Sequence, residues 1–190
     1  MKHVILFFVA LLSYQLTAQV KFEREIRVRA EEVPAKAVEW IDSTFTGTKR
    51  GFKWFYEISA DQHSYEAKFR WRDSRFSVKF DKSGVLDDVE VEIDWYDIPD
   101  IVRQNIINYL ETNFLAHKIL RIQRQLIGSP YDLYQFIRHN QGNHTTINYE
   151  LKIRARRTHQ NELWEALFNA EGELLSIQLV VLTPSTIFDF

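Results

Sequence analysis

Short blocks of this sequence recur in the same order, and that recurrence limits what the chain can fold into more than any other feature. Tyr65-Glu66-Ala67-Lys68-Phe69 returns as Tyr149-Glu150-Leu151-Lys152-Ile153, and Phe76-Ser77-Val78-Lys79-Phe80-Asp81 with Gly84 returns as Trp164-Glu165-Ala166-Leu167-Phe168-Asn169 with Gly172. At an offset of 65 residues (25 to 90), Glu25-Ile26-Arg27-Val28 lies over Glu90-Val91-Glu92-Ile93, and Val33-Pro34 lies over Ile98-Pro99 without a gap. The pattern predicts an α+β fold built as a tandem repeat, each copy a helix packed on one face of a meandering antiparallel sheet. The copies are expected over 19–97 and 98–190, the second carrying an insertion at 127–145.

The local pattern supplies the elements. Val20, Phe22, Arg24, Ile26 and Val28 alternate with charged residues, the period-two signature of a strand. Proline suits a helix's first turn, where its missing N–H has no intrahelical partner, so helices are expected to start near Pro34 and Pro99. Val38, Ile41 and Phe45 form one helical stripe; Val102, Ile106, Leu110 and Phe114 form the other, longer by about one turn. Four strands are predicted next, around 52–58, 65–71, 76–80 and 89–95, joined by hairpin-type turns at Asp61-Gln62, Asp73-Ser74 and Asp81 to Gly84. One face then carries the apolar register. The other carries Glu66, Lys68, Arg70 and Arg72, then Ser77 and Lys79, then Asp88, Glu90, Glu92 and Asp94, and is expected to be charged and open. The second copy repeats this around 118–126, 147–155, 164–168 and 175–181, with a short helix expected after Ser129.

Met1-Lys2-His3, the apolar run Val4 to Leu12 and Leu16-Thr17-Ala18 read as a signal peptide over 1–18, so the chain is expected to be exported, periplasmic or secreted. The apolar run is too short to anchor the chain, since spanning a bilayer takes about 20 apolar residues. No cysteine is present, which excludes disulfides and lipid attachment of the bacterial lipoprotein kind, so burial alone must hold the fold. Apolar content of 45% with 14% aromatics suffices for that. Basic residues number 24 against 26 acidic ones, and this near balance argues against general nucleic-acid binding.

Catalytic signatures are missing. There is no HExxH, no Gly-x-Ser-x-Gly elbow and no cysteine nucleophile, and none of the six glycines sits in a phosphate-cradling loop. His139 and His144 have no third ligand nearby, so no metal or cofactor is expected. Glu90, Glu92 and Asp94 share a strand face and are read as solvated carboxylates neutralised across strands by Lys68, Arg70 and Lys79. Asn143-His144-Thr145 matches a glycosylation sequon. The tryptophans fall mostly on the apolar register, whereas Phe55 falls off it and Tyr131, Tyr134 and Phe136 lie in the insertion.

From Pro34 to Trp95 the order of motifs resembles the PepSY-like domains of exported bacterial proteins, also called beta-lactamase-inhibitor-like. These motifs are a Pro-opened helix, an aromatic strand, the Tyr65-Glu66-Ala67 strand, an aromatic strand ending in Asp81 to Gly84, and an acidic strand. The resemblance implies a curved antiparallel surface available to a partner. That inhibitor's disulfides are absent here and none of its enzyme contacts maps onto this sequence, so fold is implied and inhibition is not. The expected function is a non-enzymatic binding or inhibitor-like module recognising a protein or envelope component. Its expected partner surface is the charged sheet face, with Phe55, Glu66, Lys68, Arg70, Lys152 and Arg154, together with Tyr131, Tyr134 and Phe136. A structural or self-associating envelope protein is the alternative. Insertion aromatics that cover a sheet edge would be equally natural.

Overall fold

The structure, a computed structural model, describes residues 19–21, 23–47, 49–59, 62–141 and 144–181. The expected leader and Asn143 of the sequon lie outside them. In chain order the elements are β1 (Gln19–Lys21), β2 (Glu23–Val28), α1 (Ala35–Thr44), β3 (Arg50–Ser59), β4 (His63–Trp71), β5 (Ser74–Asp81), β6 (Leu86–Glu92), α2 (Asp100–Asn113), β7 (Ala116–Ile127), α3 (Pro130–His139), β8 (Thr146–Arg156), β9 (Glu162–Phe168) and β10 (Leu174–Val180). Short 3-10 turns, Ala30–Glu32 and Trp95–Asp97, precede α1 and α2. In each, an acidic side chain caps backward: Glu32 Oε2 accepts from Arg29 N–H and Asp97 Oδ2 from Asp94 N–H, both at 2.9 Å. Trp95 therefore sits in a turn where the alternation predicts strand.

All the described strands belong to one sheet, in the order β1-β10-β9-β8-β7-β6-β5-β4-β3-β2. This corrects the expected tandem of helix-on-sheet units. β6 pairs with β5 on one side and with β7 on the other, so one continuous ladder joins the strands expected in the two copies. The physical reason is edge pairing: a separate first unit would leave β6 with a row of unpaired backbone groups, which β7 takes up.

Both outer edges of this sheet are met by the same N-terminal segment. β1 pairs parallel with β10 and β2 pairs antiparallel with β3, with one residue between them. Eight antiparallel strands, β3 to β10, leave the two edges running in opposite directions, so a single straight strand bridging them must be parallel to one and antiparallel to the other. That is the pairing found. Strand spacing and one intervening residue put Val180 and Ser59 no more than about 17 Å apart, so the sheet curls nearly closed.

The convex face carries the core. α1 lays Ala37, Ile41 and Phe45 over Trp54, Ala67, Phe69, Val78 and Phe80, and Phe45 stands edge-on to Trp40, Phe69, Trp71 and Phe76. α2 lays Val102, Ile106, Leu110 and Phe114 over Leu151, Ile153, Trp164, Ala166 and Phe168. The two patches share a face, since Ala67, Val78, Val89, Leu126 and Ile147 lie opposite one another in register across five strands.

The insertion folds onto the same convex side. Ser129 caps α3, its hydroxyl accepting from Asp132 N–H at 3.1 Å, and Pro130 occupies the first turn. Trp40 Nε1 on α1 donates to Pro130 O at 3.1 Å and Arg138 to Thr46 Oγ1 at 2.6 Å. Leu133 is fully buried in the α1 core, with Phe136 and Ile137 packed against it. Leu133→Ala is expected to cost about 2–5 kcal/mol and lower the melting temperature by roughly 5–15 °C. A shift under about 2 °C in thermal unfolding would mean α3 is not part of this core.

Candidate functional site: a charged cavity on the concave face

The alternation that sends apolar side chains to the helices sends the charged ones inward, onto the concave side of the curled sheet. The charged face expected to lie open is therefore partly enclosed: Glu57 and Glu66 are 4% and 7% exposed, and Ser64, Gln123 and Asn148 are buried with them. A cavity of about 720 Å³ opens here, lined by Arg50, Lys53, Phe55, Glu66, Lys68, Arg70, Arg75, Ser77, Glu90, Glu92, Arg121 and Gln123 among others.

The inward carboxylates of Glu25, Glu57, Glu66, Asp88 and Glu90 each have a partner. Lys68 Nζ lies 2.6 Å from Glu25 and 3.2 Å from Glu66, Lys79 Nζ lies 3.1 Å from Glu57, and the Ser77 hydroxyl donates to Glu66. Across β6 the partners are amides: Gln123 Nε2 donates to Glu90 at 2.6 Å, Gln125 Nε2 to Asp88 at 2.8 Å, and Asn148 Nδ2 to Gln125 at 3.0 Å. The expected neutralisation by Lys68, Arg70 and Lys79 is thus redistributed. Lys68 reaches acids of β2 and its own strand, Glu92 meets Arg75 at 3.4 Å, and Asp94 lies beyond the strand at the 3-10 turn. Arg72 leaves the face altogether: it sits in the two-residue turn at φ 46 and lies over the Trp71 ring.

Glu25, Glu57 and Glu66 offer oxygens within 4.8 Å of one another, a spacing that suits a metal ion. The ammonium groups of Lys68 and Lys79 already supply cationic charge there, so these three carboxylates read as an ion-pair network.

The electrostatics divide across the cavity. Burial would push the Glu66 carboxyl up, but Lys68, Lys79 and the Ser77 hydroxyl outweigh it and hold it below its usual value; the same pairing raises Lys68 against its burial. Glu90 goes the other way, pushed up to about 8 by burial first and then by the charges of Asp88 and Glu66. Burial likewise raises Asp88, to about 6, with Lys79 and Gln125 opposing. A carboxyl raised in the folded state contributes most below its unfolded pKa, near 4.5 for Glu90, and that contribution is lost as pH rises through about 8. The melting temperature is therefore expected to fall between pH 6 and 9 and to fall less in Glu90→Gln. Because Glu90 is half-buried, the effect is discounted to about 1–2 kcal/mol, or roughly 2–8 °C at pH 9. Parallel pH profiles for the two proteins would remove Glu90 as the cause.

The residues expected at a partner surface separate into two sets on opposite faces. Phe55, Glu66, Lys68 and Arg70 line the cavity. Phe55 is 8% exposed, its ring 5.3 Å below Lys68 Nζ, so it is a buried wall of the site. Of the four, Arg70 is the exposed one. Lys152 and Arg154 lie farther along on β8, opposite Arg121 and Lys118. Tyr131, Tyr134 and Phe136 lie on α3, on the convex side: Tyr131 is exposed, Tyr134 sits edge-on to His139, and Phe136 packs into the core. Sequence reasoning missed Glu25, Glu57, Arg50, Lys53, Arg75, Arg121 and Gln123. Parity could have placed Arg75 beside Ser77 and Lys79; the bulge that places Arg50 left no comparable trace.

No family model and no curated relative matches the sequence. Solved structures share the fold. A DUF2874 family protein from Bacteroides ovatus is 12% identical with a TM-score of 0.53, the match covering 82% of this chain and 97% of that one. Another from Bacteroides uniformis is also 12% identical, with a TM-score of 0.50 over 77% of this chain and 89% of that one. A BLIP-like protein from Bacteroides fragilis matches more loosely, at 13% identity and a TM-score of 0.48 over 81% of this chain and 91% of that one. These likenesses concern the fold.

Proposed function

We propose that the protein is an exported, non-enzymatic module that recognises a protein or envelope partner at the mouth of the concave cavity. The observation that carries this reading is that α1, α2 and α3 all pack on the convex face, while a charged cavity of about 720 Å³ is left uncovered on the other. Pockets of roughly 300–1,000 Å³ are the size that small ligands and anchoring side chains use. Among the described residues no helix is long and apolar enough to cross a membrane. The tethering of the inward carboxylates to lysines and amides supports binding over catalysis. The structural, self-associating alternative is disfavoured by the edges, since both outer strands of the meander are already paired by β1 and β2.

Photo-cross-linking in the native envelope tests the reading, with the photoreactive residue placed at Arg75 on the mouth or at Tyr131 on α3. Adducts from position 75 and none from 131 are expected. Adducts from 131 alone would move recognition to the insertion.

A further inference from the structure

Three arginines stand side by side across adjacent strands: Arg50 faces Arg70, and Arg70 faces Arg75. One row deeper, Lys53 faces Lys68, and all five side chains line the cavity together with Arg121. Like charges directly opposite one another across strands oppose folding, so stability does not call for this arrangement. A bulge between Arg50 and Lys53 creates part of it. In an unbroken ladder Gly51 would stand opposite Arg70; with Gly51 at φ 64 the ladder slips, and an arginine stands there.

The acids at this end do not cancel the row. Asp73 meets Arg50 at 2.8 Å and Glu92 meets Arg75 at 3.4 Å, but the two arginine side chains are 66% and 64% exposed, a setting where ion pairs are weak. Arg121 Nε is buried without a hydrogen-bond partner.

We propose, resting on the reading of the mouth as the recognition surface, that this row binds an acidic segment of a partner protein held in extended form. Adjacent strands lie about 4.8 Å apart, so the three guanidinium groups span about 10 Å. Carboxylates two residues apart on an extended chain project from the same side about 7 Å apart, within that span, and each suits a guanidinium fork. A compact polyphosphate fits less well. Glu66 and Glu92 line the same cavity behind the arginines; they repel a dense anion, whereas they can accept the N–H groups of a peptide.

The test is fluorescence anisotropy on the purified protein with a labelled Glu-Ser-Glu-Ser-Glu peptide, the same peptide with lysine in place of glutamate, and inorganic pyrophosphate as competitor. The glutamate peptide is expected to bind, to weaken steeply from roughly 50 to 300 mM salt, and to lose about tenfold or more in affinity when Arg70→Gln and Arg75→Gln are combined. Lys82→Gln, on an exposed turn residue that does not line the cavity, should bind as the parent does. Arg70→Gln alone should melt within about 2 °C of the parent, because relief of the middle charge of the row offsets the loss of its exposed hydrogen bond to Asp73 O, and this separates lost binding from lost folding. Equal affinity for the lysine peptide, stronger competition by pyrophosphate than by unlabelled glutamate peptide, or indifference to the double substitution would overturn the proposal. If the acidic peptide fails to bind while position 75 still cross-links to a partner, the mouth remains the recognition surface and only its preference for acidic segments falls.

Discussion

Lys68→Met should lower stability at pH 7 by about 2–4 kcal/mol, roughly 4–16 °C in melting temperature. Breaking a buried pair from one side leaves the opposite charge enclosed, and here one ammonium serves both Glu25 and Glu66. The range sits below the fully buried case because 34% of the lysine side chain is exposed. The pH dependence identifies the cause. Glu66 is held below its usual 4.5, so its share of stability is present above that value and is lost as pH falls through the depressed one. Lys68 is raised, so its share is present below its usual 10.5. The gap between parent and variant should be widest near neutrality and close in acid as Glu66 takes a proton. A gap that stays constant down to pH 3 would point to lost packing over Phe55 and not to charge.

Gly172→Ala is expected to cost about 3 kcal/mol or more, or roughly 6–12 °C. Two effects combine. The residue sits at φ 82, where a side chain is strained by about 1–2 kcal/mol, and an added Cβ would lie 2.7 Å from Val102 O and 2.9 Å from Asn105 Cβ on α2. That helix is also tied to the turn, since Asn105 Nδ2 donates to Glu171 O at 2.7 Å. Backbone cannot rotate aside as a lysine tip can, so α2 must shift off the core. Gly47→Ala provides the comparison, because Gly47 has φ 88 but nothing within 4 Å of an added Cβ. Equal melting temperatures for the two variants would mean that α2 does not press on the turn.

Much of the fold was legible because its signals are local. Pro34 and Pro99 mark helix starts, the alternation from Phe52 to Phe80 fixes which side chains face the helices, and Trp54, Phe69, Phe80 and Trp164 are buried as that register requires. Ser129 with Asp132 announces α3. What the residues could not disclose was non-local. Recurring blocks suggested a tandem of helix-on-sheet copies, because a repeat in sequence does not say whether neighbouring edges will pair, and here β6 and β7 do. The charged face read as open because alternation assigns a side and carries no curvature; enclosure of Glu57 and Glu66 comes from a sheet that curls until its edges meet. Arg50 was missed for a related reason: the bulge at Gly51 shifts it into the arginine row, and a strict period of two hides that shift.

The pairing of Gln19–Lys21 with Gln178–Val180 also has a kinetic consequence. The hairpins from β3 to β6 and from β7 to β10 join near neighbours and can form early, but β1 has no partner until β10 is in place. Contacts between distant parts of a chain form slowly because the intervening loop must first be ordered. Closure is therefore a late event in folding, and until it happens the edge of β10 is exposed to other chains. The interval before the first strand meets the last is when this protein is most prone to aggregate.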